Sequence, residues 1–218
     1  MALENATATQ AAQYSDVISY LCEKDYANEA VKIASGQDLE VGAVIGQILT
    51  ATETHAGNTG NGVLGSVTFG SKATPGLYTL TCTATASNAG TFKLTTPAGE
   101  TVPQLLTVAV AYVSDHLNVT LADGATDFIV GDKFLITVAG GNFKALDQTA
   151  TDGTQTAYGI LLANIDATSA AIKSAAVVRG EVIINTDGLK WNNTITTAQK
   201  NVAIAQMKRN GLVFRNGV

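Results

Sequence analysis

Over residues 63–138 apolar and polar side chains alternate along the chain. In GLYTLTCTAT, Leu77, Thr79, Thr81 and Thr83 alternate with Tyr78, Leu80, Cys82 and Ala84. Successive side chains of a strand point to opposite faces, so this pattern predicts a strand buried on one side only. TFKLTT, LLTVAVAYV, LNVTLA and DKFLITVA are further candidate strands. Turn formers separate them: Pro75-Gly76, Asn88-Ala89-Gly90, Pro97-Ala98-Gly99, Asp123-Gly124 and Val130-Gly131-Asp132. Short strands punctuated in this way predict a small β-sandwich.

On either side the pattern differs. Val31 with Ile33, and Val44 and Ile45 with Ile48, predict two short strands joined by a turn at Ser35-Gly36-Gln37-Asp38. Beyond Phe143, the turn Thr151-Asp152-Gly153-Thr154 precedes a strand through Ile160, Leu161 and Leu162. SAAVVRGEVIIN predicts two strands hinged at Arg179-Gly180, and Asp187-Gly188 a further turn. TTAQKNVAIAQMKRNG has helical spacing, with Ala198, Val202 and Ala205 on one face. Thr196 or Thr197 can cap its start, because a hydroxyl there accepts an unpaired backbone N–H. Lys208 and Arg209 suit the negative end of the helix, and Gly211 is a natural stop. Leu212-Val213-Phe214 predicts a closing strand.

The amino-terminal stretch is different again. Residues 1–13 show no apolar period and read as a tail. Residues 14–27, YSDVISYLCEKDYA, hold a strand-like run from Val17 to Leu21 without a neighbouring hairpin partner. Such a run is either an edge strand or an arm that pairs with another chain. The expected fold is therefore mostly β with a short C-terminal helix. Residues 1–27 form a flexible N-terminal arm. Residues 28–52 and 143–218 form a small, discontinuous α+β body, and 53–142 an inserted β-sandwich-like domain. The Gly-rich segments 56–62 and 139–142 flank the insertion, where exposed loops tolerate one.

Composition narrows the function. At 218 residues, folding buries roughly 70% of the unfolded surface, so a core forms without metal or disulfide staples. Charged residues make up 14% of the chain, against about 25% in typical domains. So weakly charged a surface points to burial against partners. The net charge of −5 speaks against nucleic acid, which needs a basic stripe. No apolar run is long enough to span a membrane. The start MALENATATQ lacks the basic and apolar blocks of a signal peptide. Cys22 and Cys82 read as two free thiols of a chain folded in a reducing cytosol.

Candidate chemistry is sparse. The histidines are His55 and His116. Asp115 and His116 are adjacent, and neighbours on a strand face opposite ways, which leaves no catalytic arrangement. The cysteines lack metal-ligand spacing. GNTGNG at 57–62 is not followed by the Lys-Ser/Thr of a phosphate loop. Asp123, Asp127 and Asp132 lack calcium-loop spacing and read as turn carboxylates. Asn118-Val119-Thr120 and Asn192-Asn193-Thr194 match the glycosylation sequon, which means little without a secretory signal. Trp191, the single tryptophan, reads as a core anchor or an interface hot spot. No catalytic residue, metal or cofactor is expected.

Four stretches together resemble the lambda-type bacteriophage head decoration (capsid cement) protein family. They are VKIASGQDLEVGAVIGQI (31–48), DGTQTAYGILLANIDAT (152–168), AAVVRGEVIINTDGLKW (175–191) and AIAQMKRNGLVFR (203–215). The family pattern is continuous, whereas here the β-insertion separates the first stretch from the second. The resemblance implies a homotrimer on the outside of the expanded head at three-fold sites. It implies a virion protein, made in the host cytoplasm, that stabilises the shell. It also implies an arm that adds a strand to the major capsid protein, which assigns capsid contact to Tyr14, Val17, Ile18, Tyr20 and Leu21. Two other readings stay open. The insert could be an adhesin-like module that contacts a host surface or glycan, for which exposed Tyr112 and Phe128 would speak. A hydrolase is the other, and two histidines disfavour it.

Overall fold

The structure is a computed structural model that describes residues 13–217. The tail expected over residues 1–13 lies, apart from Gln13, outside the described residues. The chain folds as two compact units: residues up to Ile45 with those from Ala157 on, and Gly46–Thr156.

In the first unit a helical turn α1 (Tyr14–Val17) leads into β1 (Ile18–Leu21). A second turn, α2 (Lys24–Ala27), leads into β2 (Asn28–Ile33) and β3 (Gln37–Leu39). Strand β4 (Val44–Thr54) starts in this unit and ends in the second. The second unit adds β5 (Thr68–Phe69), β6 (Gly76–Ala86), β7 (Ala89–Thr95) and β8 (Thr101–Thr107). It is completed by β9 (Ala111–Tyr112), β10 (Leu117–Thr120) and β11 (Lys133–Ala145). The chain then returns for β12 (Ala157–Leu161), β13 (Ile165–Ala167), β14 (Ile172–Val177) and β15 (Val182–Asn185). A 3-10 turn (Thr186–Gly188), helix α3 (Thr197–Arg209) and β16 (Leu212–Arg215) close it. The fold is mostly β with a short C-terminal helix, as the alternation and the capping signals predict.

The second unit has two sheets over one core. Strands β4, β11, β6, β7 and β8 lie side by side in that order, and β5, β10 and β9 form the smaller sheet. Tyr78, Leu80 and Cys82 of β6 turn inward, as their alternation predicts, with Phe92, Leu94, Phe134 and Ile136 from the strands beside it. They share a core with Phe69, Tyr112, Leu117 and Val119 of the small sheet. Phe92, Phe128 and Phe134 pack ring on ring, with centroids 5.1–5.9 Å apart. Each such pair adds about 1 kcal/mol beyond its buried area. LLTVAVAYV was expected as one strand, but the chain breaks between β8 and β9. Ala109 sits there at φ 63°, a left-handed conformation that turns the backbone out of the large sheet toward the small one.

In the first unit β15 lies between β1 and β16, antiparallel to the former and parallel to the latter. A second layer runs β2, β14, β12 and the start of β4, and β3 pairs with β13. The expected turn at Ser35–Asp38 is tighter than its four residues, since Gln37 already belongs to β3. Gly36 alone takes the left-handed conformation there, at φ 83°. The hinge at Arg179-Gly180 falls between β14 and β15 as predicted. Helix α3 starts at Thr196, which accepts the N–H of Gln199 while the Gln199 side chain accepts that of Thr196. Its buried face differs from the expectation. Ala203 and Met207 are buried, whereas Ala198 and Ala205 are exposed and Val202 is 49% exposed. The helix carries two apolar stripes, and packing selects the one with the larger side chain to bury.

Candidate functional site: the amino-terminal segment

Of the two readings of the run Val17–Leu21, the structure shows the edge strand, with a partner within the chain. Strand β1 pairs antiparallel with β15, matching Ile18 to Ile184, Tyr20 to Ile183 and Leu21 to Val182, with a bulge at Ser19. The partner lies too far along the chain for any hairpin signal to announce it. Val17 and Ile18 are buried in their own unit, and Leu21 is half-buried. Tyr14 and Tyr20 point outward, 41% and 54% exposed. The five residues expected to contact a capsid thus divide into an inward and an outward set.

Two glycines make room for this segment. A Cβ at Gly188 would stand 2.2 Å from the Asp16 carbonyl oxygen, and one at Gly42 2.4 Å from that of Gly188. Asn185 Nδ2 donates to the Asp16 carbonyl at 3.1 Å. Further along, Arg179 holds α2: its guanidinium donates to Glu29 at 2.7 Å and to the Tyr26 carbonyl at 3.4 Å, and lies 5.8 Å from the centre of the Tyr26 ring. The segment is thus pinned at both ends. Nearby, burial and a hydrogen bond to Glu29 push the Tyr158 phenol up to about 12.

The outer face is apolar. Register places Tyr20, Ile183 and Val213 in one row across β1, β15 and β16. Strand β1 ends this sheet, so its second edge carries no strand among the described residues. The exposed Cys22 thiol beside Tyr20 raises the phenol pKa.

The profile of a family described as bacteriophage lambda head decoration protein D matches residues 7–212. The chain belongs to this family. The match spans both units. No curated protein matches the chain. Among solved structures it is similar to FlgL of Xanthomonas campestris, at 18% identity and a TM-score of 0.32, over 49% of this chain and 34% of that one. It is also similar to the flagellar junction protein FlgL of Legionella pneumophila, at 16% identity and a TM-score of 0.33, over 47% and 35%. The chain spans about a third of the length of these proteins.

The remaining candidates of this head decoration protein each have surroundings of their own. Trp191 is half-buried beneath Lys200 of α3, whose Nζ lies 5.9 Å from the ring centre. His55 contacts Glu53 at 2.5 Å, and His116 contacts the Tyr78 hydroxyl at 3.5 Å. Ser114, near His116, is held by backbone groups: it donates to the Leu117 carbonyl and accepts from the N–H of His116 and Leu117. Cys82 is buried, and its thiol is pushed up by burial. Among the described residues no group of three or more His, Cys, Asp and Glu could hold a metal. The GNTGNG loop receives a carboxylate from within the chain, since Thr59 and Gly60 donate their N–H to Asp132. Asp127 accepts from the Asn88 N–H and Asp123 from that of Gly124. Sequence reasoning named Asp132 a turn residue but missed this clasp. The clasp joins residues more than seventy positions apart, and no sequence signal marks it.

Proposed function

We propose that this head decoration protein binds the outside of the expanded phage head as a homotrimer at three-fold sites and cements the shell. The observation that carries the reading is the family match over residues 7–212. The weakly charged surface and the open edge of β1 support strand addition to the major capsid protein. Tyr14 and Tyr20 are then the side chains that read the partner. Val17 and Ile18 serve by holding the strand on its own body, and Leu21 lies between the two roles. Trp191, at the edge of the core, is either a packing anchor or part of the subunit contact.

The test is co-sedimentation with expanded, decoration-free shells, with unexpanded shells as control. Saturable binding to expanded shells alone, at one trimer per three-fold site, is expected. Absence of binding to both overturns the proposal. Deleting all of residues 1–27 would strip Val17 and Ile18 from the core, so the arm is better tested by removing residues 1–12 and, separately, by Tyr20→Ala. Both are expected to weaken shell binding while leaving the circular dichroism unchanged. Full binding by both variants would sink the strand-addition mechanism. Light scattering on the bound and released protein reads the trimer, and a mass of 22.4 kDa in both states would refute it. The adhesin-like reading loses the support sought for it, since Tyr112 and Phe128 are both buried in the second unit.

A further inference from the structure

The second unit carries a groove of about 610 Å³. Three segments build it: the β7–β8 turn with the start of β8, the loop Val113–His116, and Lys72 after β5. Its walls are fixed by hydrogen bonds before any ligand arrives. In the turn, Thr96 N donates to the Glu100 carbonyl at 2.8 Å and Glu100 N to Thr96 Oγ1 at 3.2 Å. In the loop, Ser114 N donates to Asn118 Oδ1 at 2.9 Å and Ser114 Oγ to the Leu117 carbonyl at 2.8 Å. The Lys72 N–H donates to the Asp115 carbonyl at 2.7 Å, and Gly70 N to that of His116 at 2.8 Å. Gly70 is required, because a Cβ there would lie 2.3 Å from the Asp115 oxygen. The volume falls within the usual range for small-molecule sites, and a preformed site costs little ordering on binding.

The chemistry of the lining selects a ligand class. Lys72 and Asp115 neutralise each other at 2.8 Å, which leaves Glu100 as the one uncompensated charge in the groove. A phosphate or sulfated ligand would meet a carboxylate without a free cation to offset it. Ser114 Oγ donates to the Leu117 carbonyl, and Thr96 Oγ1 accepts the Glu100 N–H. Glu100, Thr101 and Gln104 remain as acceptors and donors toward a ligand, and the His116 ring has a second nitrogen to offer. Val102, Pro103 and Val113 supply an apolar wall. An apolar wall facing a rim of uncharged donors and one strong acceptor suits a ring with a C–H face and a hydroxyl edge. We propose that this groove binds a neutral sugar unit, with the Glu100 carboxylate accepting from two neighbouring hydroxyls.

The test uses the free full-length protein, so it succeeds or fails independently of shell binding. Amide NMR spectra are recorded during titration with the methyl glycosides of glucose, galactose, mannose and N-acetylglucosamine. For a ligand of this size a dissociation constant of about 1 mM is expected for at least one sugar. Saturable shifts should be confined to residues 96–104 and 113–116. Glu100→Gln and Gln104→Ala should each weaken that binding at least tenfold while leaving the other amide signals in place. Absence of saturable shifts with all four sugars overturns the proposal. Shifts centred elsewhere, or variants that bind like the wild type, overturn it equally.

Discussion

Removing the Asp132 side chain should destabilise the second unit. The residue is 5% exposed. One carboxylate oxygen accepts from Thr59 N at 3.0 Å, the other from Gly60 N at 2.9 Å and Ile129 N at 3.1 Å. These bonds hold the Gly/Asn loop beneath Phe128, where Gly60 is required because a Cβ would stand 2.2 Å from the ring. Asp132→Ala leaves three donors without their acceptor. Thr59 is exposed and can turn to water, whereas Gly60 is buried. A loss of about 3 kcal/mol follows, at the lower end for a buried charged group that loses its role. Asp132→Asn keeps one oxygen for two of the donors but sets an N–H₂ against the third. About 2 kcal/mol is expected for it. The loop stays attached in both variants through Asn58, which exchanges two hydrogen bonds with the Lys133 backbone.

The pH dependence checks the cause. Burial alone would raise the Asp132 pKa, but the N–H groups of Gly60, Thr59 and Ile129 outweigh it and the pKa is lowered. A carboxyl lowered in the folded state contributes stability above its unfolded pKa of about 3.9 and loses it as the pH falls toward the folded value. The gap between wild type and Asp132→Asn should therefore be full at pH 7 and shrink below pH 4. Urea unfolding followed through the amide signals of Gly60 and Leu80 reads the second unit. Trp191 emission, from the first unit, serves as an internal control. An Asp132→Ala protein within about 0.5 kcal/mol of wild type, or a gap that is equal at both pH values, would refute this account.

Three further outcomes follow from the first unit. Gly188→Ala drives a Cβ into the Asp16 carbonyl and should lower stability by about 1–3 kcal/mol, read as a lower melting temperature by Trp191 emission. Glu29→Gln removes the carboxylate that helps burial hold Tyr158 at about 12; the tyrosine carbon resonance should titrate at lower pH. The wild type should accordingly lose stability between the ordinary tyrosine pKa of about 10 and that value, and the variant less so. Thr196→Ala removes the cap of α3 and should cost about 1 kcal/mol in thermal unfolding.

The strands of the second unit were legible because their information is local. Tyr78, Leu80 and Cys82 alternate with threonines, and burial on one face needs nothing else. The cap of α3 was legible for the same reason, since Thr196 and Gln199 are three residues apart. The buried face of α3 was not. Its two apolar stripes are equivalent until neighbouring strands decide between them, and that decision rests on contacts distant in sequence. The Asp132 clasp also joins residues more than seventy positions apart, and a single sequence offers no periodicity by which to find such a pair.

In the amino-terminal segment such a distant contact bears on the proposed strand addition. A strand without a partner would be free to pair with any exposed edge, including that of another copy, which is an aggregation hazard. Here β1 is already paired on one side with β15, is four residues long, and is interrupted by the bulge at Ser19. Short length and a bulge are the features by which edge strands resist indiscriminate pairing. The remaining edge can still accept a strand, but main-chain bonds over so few residues give little affinity. Selectivity must then come from side chains at the edge, and the exposed large ones there are Tyr14 and Tyr20. The docking that buries Val17 and Ile18 also fixes where these two rings stand. On the reading proposed above, partner recognition by this segment would depend on its being folded onto its own body rather than on its being free.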